Sequence, residues 1–102
     1  IAGTSGHDKT GIADNRLVIT TAGTAQALAA STVAKRVFVS PLDANVSALV
    51  VVGGSTVVAA AGTRRGIPVY KGNVLALDID NLADVFVDVL TNSDGVSFLY
   101  ET

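Results

Sequence analysis

The sequence contains no cysteine, no methionine and no tryptophan, and its one histidine is His7. Without cysteine the chain cannot build a disulfide scaffold, a thiolate metal site or a thiol nucleophile. Aromatic residues make up 5% of the chain, so a hydrophobic core must consist mainly of valine, alanine and leucine. Charged residues make up 16%, below the roughly 25% of an average domain. The net charge of −2 argues against a nucleic-acid binder, which would show a basic patch.

Aliphatic side chains are abundant instead. Hydrophobic residues make up 49% of the 102 positions, and the mean hydropathy is +0.50. This length suits one domain, and this composition excludes an intrinsically disordered chain. Because a small body has a high surface-to-volume ratio, part of its apolar surface must stay exposed. We therefore expect an oligomer or a subunit of a larger assembly, not a free monomer.

The first fifteen residues differ in composition from the rest. They are rich in glycine, threonine and aspartate, and they lack the apolar region of a signal peptide. The sequence therefore predicts a flexible or extended N-terminal arm, 1–15, followed by one domain, 16–102. Because the chain begins with isoleucine, we expect that proteolysis or truncation created this end.

Beyond the arm, short segments in which apolar and polar residues alternate predict β-strands. The clearest segments are 16–20, 35–40, 74–79, 85–90 and 96–100. The segment 67–70 contains Pro68, which places it at a sheet edge or a bend because proline cannot donate to a ladder. Residues 24–34 are rich in alanine, but their threonine, serine and valine favour a strand and loop over a helix.

Glycine and asparagine mark two predicted hairpins. Gly53-Gly54 separates the β-branched segments 49–52 and 56–60, which predicts a hairpin over 49–60. The uncharged stretch 44–63 has the length of a membrane span, but the double glycine favours two strands. Asn-Ser-Asp-Gly at 92–95 predicts a second hairpin turn, between the last two strands.

Seven or eight short strands, with turns about every 8–12 residues, indicate an all-β fold. We predict a small antiparallel β-sandwich of jelly-roll type, with a small barrel as the alternative.

Catalytic patterns are missing from this sequence. His7 lies in the polar arm with only Asp8 beside it, and the predicted domain has no histidine to act as a base for serine. Gly53-Gly54-Ser55-Thr56 lacks the lysine and the following helix of a phosphate-binding loop. We therefore predict no catalytic residue, no cofactor and no small-molecule substrate, and we do not expect an enzyme.

Five aspartates lie in the last third of the chain, and they raise the alternative of a calcium site. They are Asp78, Asp80, Asp84, Asp88 and Asp94. Asp78 and Asp80 share one face of a strand whose other face is apolar, which is typical of a solvated outer face. The alternation in 85–90 likewise places Asp88 outward. No EF-hand spacing is present, so we predict no metal.

The candidate partner-binding residues are an arginine pair and three valines. Arg64 and Arg65 form a lone basic pair, for which a solvated bend and an ionic contact to an acidic partner remain equal alternatives. Val50, Val52 and Val57 lie in the predicted 49–60 hairpin, whose outer face we expect to bind a partner.

Six stretches together carry a resemblance to a known family. They are 17–23 (LVITTAG), 35–39 (KRVFV), 51–57 (VVGGSTV), 66–69 (GIPV), 77–88 (LDIDNLADVFVD) and 92–100 (NSDGVSFLY). In this order they resemble small β-sandwich proteins among the virion structural genes of tailed bacteriophages, of the capsid decoration (cement) or head-fibre type. The likeness covers 17–100 and rests on strands and turns, without a catalytic signature.

The resemblance implies a decoration protein on the capsid surface of the virion, which stabilises the head by binding across capsomers. Its partners would be the major capsid protein and copies of itself, in a threefold assembly, without nucleic acid or membrane. The alternative is a receptor- or glycan-binding module of a head or tail fibre. That alternative needs exposed aromatic platforms, whereas most aromatic residues here fall at strand positions expected in the core.

Overall fold

The aliphatic segments form eight strands in the computed structural model, which describes residues 10–102. The strands are β1 (Ile12–Val18), β2 (Gln26–Ala27), β3 (Arg36–Pro41), β4 (Leu49–Gly53), β5 (Ile67–Tyr70), β6 (Leu75–Asp78), β7 (Phe86–Val89) and β8 (Gly95–Glu101). Two single turns of 3-10 helix, Ala61–Thr63 and Leu82–Asp84, are the helical elements of the described residues. The predicted all-β fold is confirmed, and 24–34 is indeed a short strand and a loop.

The strands form two four-stranded antiparallel sheets that pack face to face. Sheet 1 has the order β1-β8-β3-β6, and sheet 2 has the order β2-β7-β4-β5. The first strand thus pairs with the last, the second with the seventh, the third with the sixth and the fourth with the fifth. This nested pairing is the strand order of a jelly roll. The predicted sandwich is confirmed, and because both sheets have free edges, the barrel alternative is wrong.

The main core lies between the sheets and consists mostly of valine. Val37 and Val39 of β3 and Val96 and Phe98 of β8 point into it from sheet 1. Val50, Val52, Val87 and Val89 meet them from sheet 2. The period-two alternation seen in the sequence therefore reports this interface correctly.

A second, smaller core covers the outer face of sheet 2, and it shows that the predicted 49–60 hairpin is wrong. After Gly53 the chain does not return along β4, whose neighbours are β5 and β7. Residues 54–66, which we call the strap, instead cross the sheet. Val57 and Ala59 of the strap bury Leu49 and Val51. β4 is therefore covered on both faces, which explains why it is apolar at four successive positions.

The predicted hairpin turn at 92–95 is also wrong, because β7 and β8 belong to different sheets. These residues form a corner that carries the chain from sheet 2 to sheet 1. Gly95 starts β8 against β1, where a Cβ atom would lie 2.2 Å from the Leu17 carbonyl oxygen. Only glycine allows this close approach of two backbones.

The boundary predicted after Asn15 lies inside a strand. β1 begins at Ile12 and pairs along its whole length with β8, from Ile12 opposite Glu101 to Val18 opposite Gly95. Four residues assigned to the arm therefore belong to the domain. The rest of the predicted arm, with His7, lies outside the described residues. The edge position predicted for Pro68 is confirmed, since β5 is the last strand of sheet 2.

Shortening β1 tests this boundary. We expect a chain that starts at Arg16 to melt at least about 10 °C below a chain that starts at Thr10, because it loses several ladder hydrogen bonds to β8 at about 1 kcal/mol each. Thermal unfolding followed by circular dichroism measures the difference. Equal melting temperatures would show that residues 10–15 do not contribute to the sheet.

The close approach at Gly95 gives a second prediction. Gly95→Ala should lower the free energy of unfolding by at least about 2 kcal/mol, because the new methyl group overlaps the β1 backbone. The matched control is Gly54→Ala, since a Cβ at Gly54 meets nothing within 4 Å, and it should change stability by less than about 0.5 kcal/mol. Chemical denaturation of both variants measures this, and equal effects would contradict the close approach.

Candidate functional site

Four loops meet at the end of the sandwich where β1, β3, β5 and β7 end. They are residues 19–25, 42–48, 71–74 and 90–94, and we call this region the Asp94 end. Ladder hydrogen bonds stop at the strand ends, so the loop N–H groups need other acceptors. Buried side chains supply several of them here.

Asp94 is the centre of this hydrogen-bond network, and it is only 2% exposed. Its Oδ1 accepts from the Val46 N–H at 2.8 Å, and its Oδ2 accepts from the Ser47 N–H at 3.0 Å. Its backbone oxygen accepts from the Ile19 N–H at 2.9 Å. Hydrogen bonds to a carboxylate are roughly twice as strong as neutral ones. One residue therefore joins three of the four loops.

Asn45 and Lys71 complete the network. The Asn45 side chain donates to the Gly95 carbonyl oxygen and accepts from the Gly95 N–H, each at 2.8 Å. The Lys71 ammonium donates to the Asn45 backbone oxygen, which brings in the fourth loop. The hydroxyl groups of Ser47 and Thr91 lie 2.6 Å apart and share a hydrogen bond. The loops of this end are thus restrained by side-chain contacts as well as by the strands.

Apolar side chains project into solvent from these restrained loops. Val46 is 78% exposed, Val74 is 60% exposed and Leu90 is 40% exposed. Val46 and Leu90 each adjoin a member of the Ser47–Thr91 hydrogen bond, so their segments are neighbours. Exposed aliphatic side chains grouped on a restrained surface are typical of a contact with another molecule. The Asp94 end is therefore the first candidate functional surface.

The outer face of sheet 1 is the second candidate, since among residues 10–102 no segment covers it as the strap covers sheet 2. Register places Asp14, Leu99 and Phe38 side by side across β1, β8 and β3, with Arg16, Ser97 and Ser40 in the next row. These six residues line an open depression of about 630 Å³. The Arg36 guanidinium lies 5.7 Å from the centre of the Phe38 ring and forms an ion pair of 2.9 Å with Asp78.

Asp88 is buried, although the sequence predicts that it points outward into solvent. Its side chain does point to the outer face of sheet 2, as the alternation predicts, but the strap covers that face and leaves Asp88 1% exposed. Its Oδ2 accepts from the Ala59 N–H of the strap at 2.8 Å, and its Oδ1 accepts from the Gly23 N–H at 3.0 Å. Asp88 therefore holds the strap and the 19–25 loop onto sheet 2.

The predicted partner-binding residues are mostly not surface residues. Val50 and Val52 lie in the main core, and Val57 lies in the core under the strap. A partner cannot contact these three side chains in the folded chain, so that prediction is wrong. Arg64 is half-buried and donates from Nε and Nη2 to the Ala59 carbonyl oxygen at 3.0 and 2.9 Å, which fixes the strap. Arg65 is exposed, and its role in binding stays a prediction.

The aspartates of the last third do not gather into a site. Asp88 and Asp94 are bound by backbone N–H groups in separate places, while Asp78, Asp80 and Asp84 are exposed. Among residues 10–102, no group of three or more histidine, cysteine, aspartate or glutamate side chains is arranged to hold a metal ion. The proposed calcium cage is therefore not formed by the part of the chain that the structure describes.

Sequence reasoning missed the residues that organise both surfaces. Asn45 is not among the candidate site residues that the sequence patterns single out. Asp94 falls in a predicted turn and among five aspartates that raise a calcium alternative, although a turn aspartate followed by glycine is also a frequent acceptor for loop N–H groups. Most aromatic residues fall at strand positions expected in the core, but Phe38 is an exception because it faces the depression. Its position between Val37 and Val39, which both point inward, already requires the ring to point outward.

Comparison of the chain with protein-family models, with curated proteins and with solved structures finds no match. Within residues 10–102, no helix has the length and apolar character needed to cross a membrane.

The Asp94 network predicts a marked loss of stability on a conservative change. Asp94→Asn should lower the free energy of unfolding by about 1–3 kcal/mol, because the remaining oxygen can accept from only one of the Val46 and Ser47 N–H groups, while the new NH2 group faces the other donor. Asp43→Asn is the matched control, since Asp43 is exposed in the 42–48 loop that Asp94 contacts, and it should change stability by less than about 0.5 kcal/mol. Chemical denaturation measures both variants. An unchanged free energy of unfolding in Asp94→Asn would show that these hydrogen bonds do not stabilise the fold.

Metal independence is the second prediction. We expect neither EDTA nor calcium to shift the melting temperature of the full chain. A metal held at a hundred times its Kd would stabilise the fold by about 2.7 kcal/mol, which differential scanning calorimetry resolves readily. A calcium-dependent rise in melting temperature would restore the calcium alternative.

Proposed function

We propose that this chain is a structural protein of a bacteriophage virion, a decoration subunit that binds the capsid surface. The observation that supports this most directly is the Asp94 end, where exposed aliphatic side chains stand on loops restrained by buried hydrogen bonds. The resemblance to phage β-sandwich proteins supports the same conclusion.

The restraint matters because binding costs conformational entropy. A loop that is already held by Asp94 and Asn45 loses little freedom when a partner contacts it, so more of the contact energy remains as affinity. Burial of a valine or leucine side chain contributes about 1.5–3 kcal/mol. Val46 and Leu90 therefore suit the role of anchors in a capsid contact.

The proposed partners are the major capsid protein and further copies of this chain, in a threefold assembly across capsomers. The subunit acts by burying area and carries out no chemical step, so it is not an enzyme and needs no cofactor. It contacts neither nucleic acid nor membrane, and its location is the outer capsid surface of the virion.

The alternative is a receptor- or glycan-binding module of a fibre, and one observation favours it. Phe38 faces the open depression on sheet 1, so the aromatic platform that such a module needs is present outside the core. A decoration subunit and a fibre module differ in their attachment, and capsid binding separates them.

Polar variants of the Asp94 end test the capsid contact. We expect the double variant Val46→Ser and Leu90→Ser to bind capsids that lack this chain at least about a hundredfold more weakly, because both anchors are lost. Co-sedimentation with such capsids measures binding, and the melting temperature should stay unchanged. The matched control is Val33→Ser with Ile67→Ser, two exposed apolar positions outside the Asp94 end.

Unchanged binding of the Val46 and Leu90 double variant would rule out this surface. If the unaltered chain itself fails to bind the capsids and sediments as a monomer at high concentration, the decoration role fails and the fibre module takes its place.

A further inference from the structure

The depression on the outer face of sheet 1 has the size and lining of a ligand site. We infer that it binds a short neutral saccharide of about two or three sugar units. This inference does not rest on the proposed capsid role. Val74 of the Asp94 end also lines the depression, but the two proposed capsid anchors, Val46 and Leu90, do not.

The size of the depression suits a small ligand. Its volume of about 630 Å³ lies within the range of roughly 300–1,000 Å³ that small-ligand sites occupy.

The lining matches the two kinds of surface that a sugar ring presents. Phe38 and Leu99 sit side by side on β3 and β8 and form an apolar floor. The C–H face of a sugar ring can pack against this floor, beside the Arg36 guanidinium that lies over the Phe38 ring. Asp14, Arg16, Ser40 and Ser97 surround this floor and together supply both donors and acceptors. Hydroxyl groups at the rim of a sugar ring need both, because each one donates and accepts.

The charges of the lining favour a neutral ligand. Asp14 and Arg16 project from the same face of β1, two residues apart, so one negative and one positive charge lie at the same wall. Arg36, which contacts the Phe38 ring, is already paired with Asp78. Among the described residues that line the depression, Asp14 therefore balances Arg16, and no excess positive charge selects phosphate or another anion.

The site is also held in place before any ligand arrives. Its residues lie on β1, β8 and β3, which are paired continuously from one to the next. The Ser40 hydroxyl donates to the Asn73 carbonyl oxygen at 2.8 Å, so its lone pairs face a fixed direction and can accept from a ligand. Sites built on paired strands keep their geometry better than sites on loops.

The first experiment measures binding by the full chain, labelled with nitrogen-15. Maltotriose, cellotriose and chitotriose are titrated separately to about 20 mM, which detects a millimolar Kd. We expect at least one trisaccharide to shift the amide signals of 14–16, 38–40 and 97–99 in a saturable manner. No saturable shift with any of the three, or equal shifts produced by inorganic phosphate, would overturn the inference.

Variants then test the lining. Phe38→Leu keeps an apolar side chain but removes the ring, and we expect the trisaccharide that binds to bind about tenfold more weakly. Arg16→Gln keeps an exposed polar side chain but removes the charged donor, and it should weaken binding by a similar factor. Arg65→Gln is the matched control, because Arg65 is exposed and does not line the depression.

If Phe38→Leu disturbs the fold, Arg16→Gln still tests the lining, because Arg16 is exposed on the surface of β1. Wild-type affinity in Arg16→Gln, with its melting temperature unchanged, would overturn the inference. Capsid co-sedimentation of the same variants separates the two proposals. Weaker sugar binding with unchanged capsid binding supports the saccharide site, whereas loss of capsid binding with sugar binding intact would overturn the saccharide inference and assign the depression to the capsid contact instead.

Discussion

Two buried aspartates hold together the parts of this chain that sheet pairing does not reach. In a jelly roll, almost every connection passes from one sheet to the other, so many loop N–H groups have no strand beside them. Asp94 accepts from the 42–48 loop, and Asp88 accepts from the 19–25 loop and from the strap. A buried carboxylate is costly unless it is fully hydrogen-bonded. Among the described residues, no buried side-chain nitrogen or oxygen lacks a partner.

The composition explains why such polar contacts are needed. The core is built from valine and contains few large side chains, so the sheets alone contribute rather little buried area from each residue. The strap adds a second core by burying Leu49 and Val51 on the outer face of sheet 2. Asp88 and Arg64 keep the strap in place. The polar contacts therefore maintain part of the apolar burial, and the two contributions depend on each other.

The alternation of apolar and polar residues was sufficient to predict the strands, but it does not show whether each face of a strand meets protein or water. Alternation places Val87 and Val89 on one face of β7 and Asp88 on the other, and that much is correct. Whether the second face meets water depends on the path of 54–66, which is a long-range feature. The four successive apolar residues from Leu49 to Val52 were the local signal that β4 is covered on both faces. The double glycine after them predicts a hairpin turn, but the chain enters the strap at this point instead.

The hairpin predicted at 92–95 is wrong for a related reason. Asn-Ser-Asp-Gly fits a hairpin turn and an inter-sheet corner equally well, since both need a tight bend. What separates them is whether the flanking strands pair with each other, and β7 and β8 pair with different neighbours. The role of Asp94 follows from the corner, because its carboxylate meets the 42–48 loop only when the chain changes sheets there. The candidate surfaces could therefore not be predicted from local sequence patterns, because they depend on the strand topology.

The Asp94 end and the depression share one structural element. Leu42 lines the depression, and its N–H donates to the Gly95 carbonyl oxygen at 3.0 Å. The same oxygen accepts from the Asn45 side chain, which lies in the same loop as Val46. A partner seated on Val46 therefore contacts the loop that forms one wall of the depression. The Gly95 carbonyl oxygen thus fixes the loop at Leu42 and at Asn45, so one buried acceptor positions residues that belong to both surfaces.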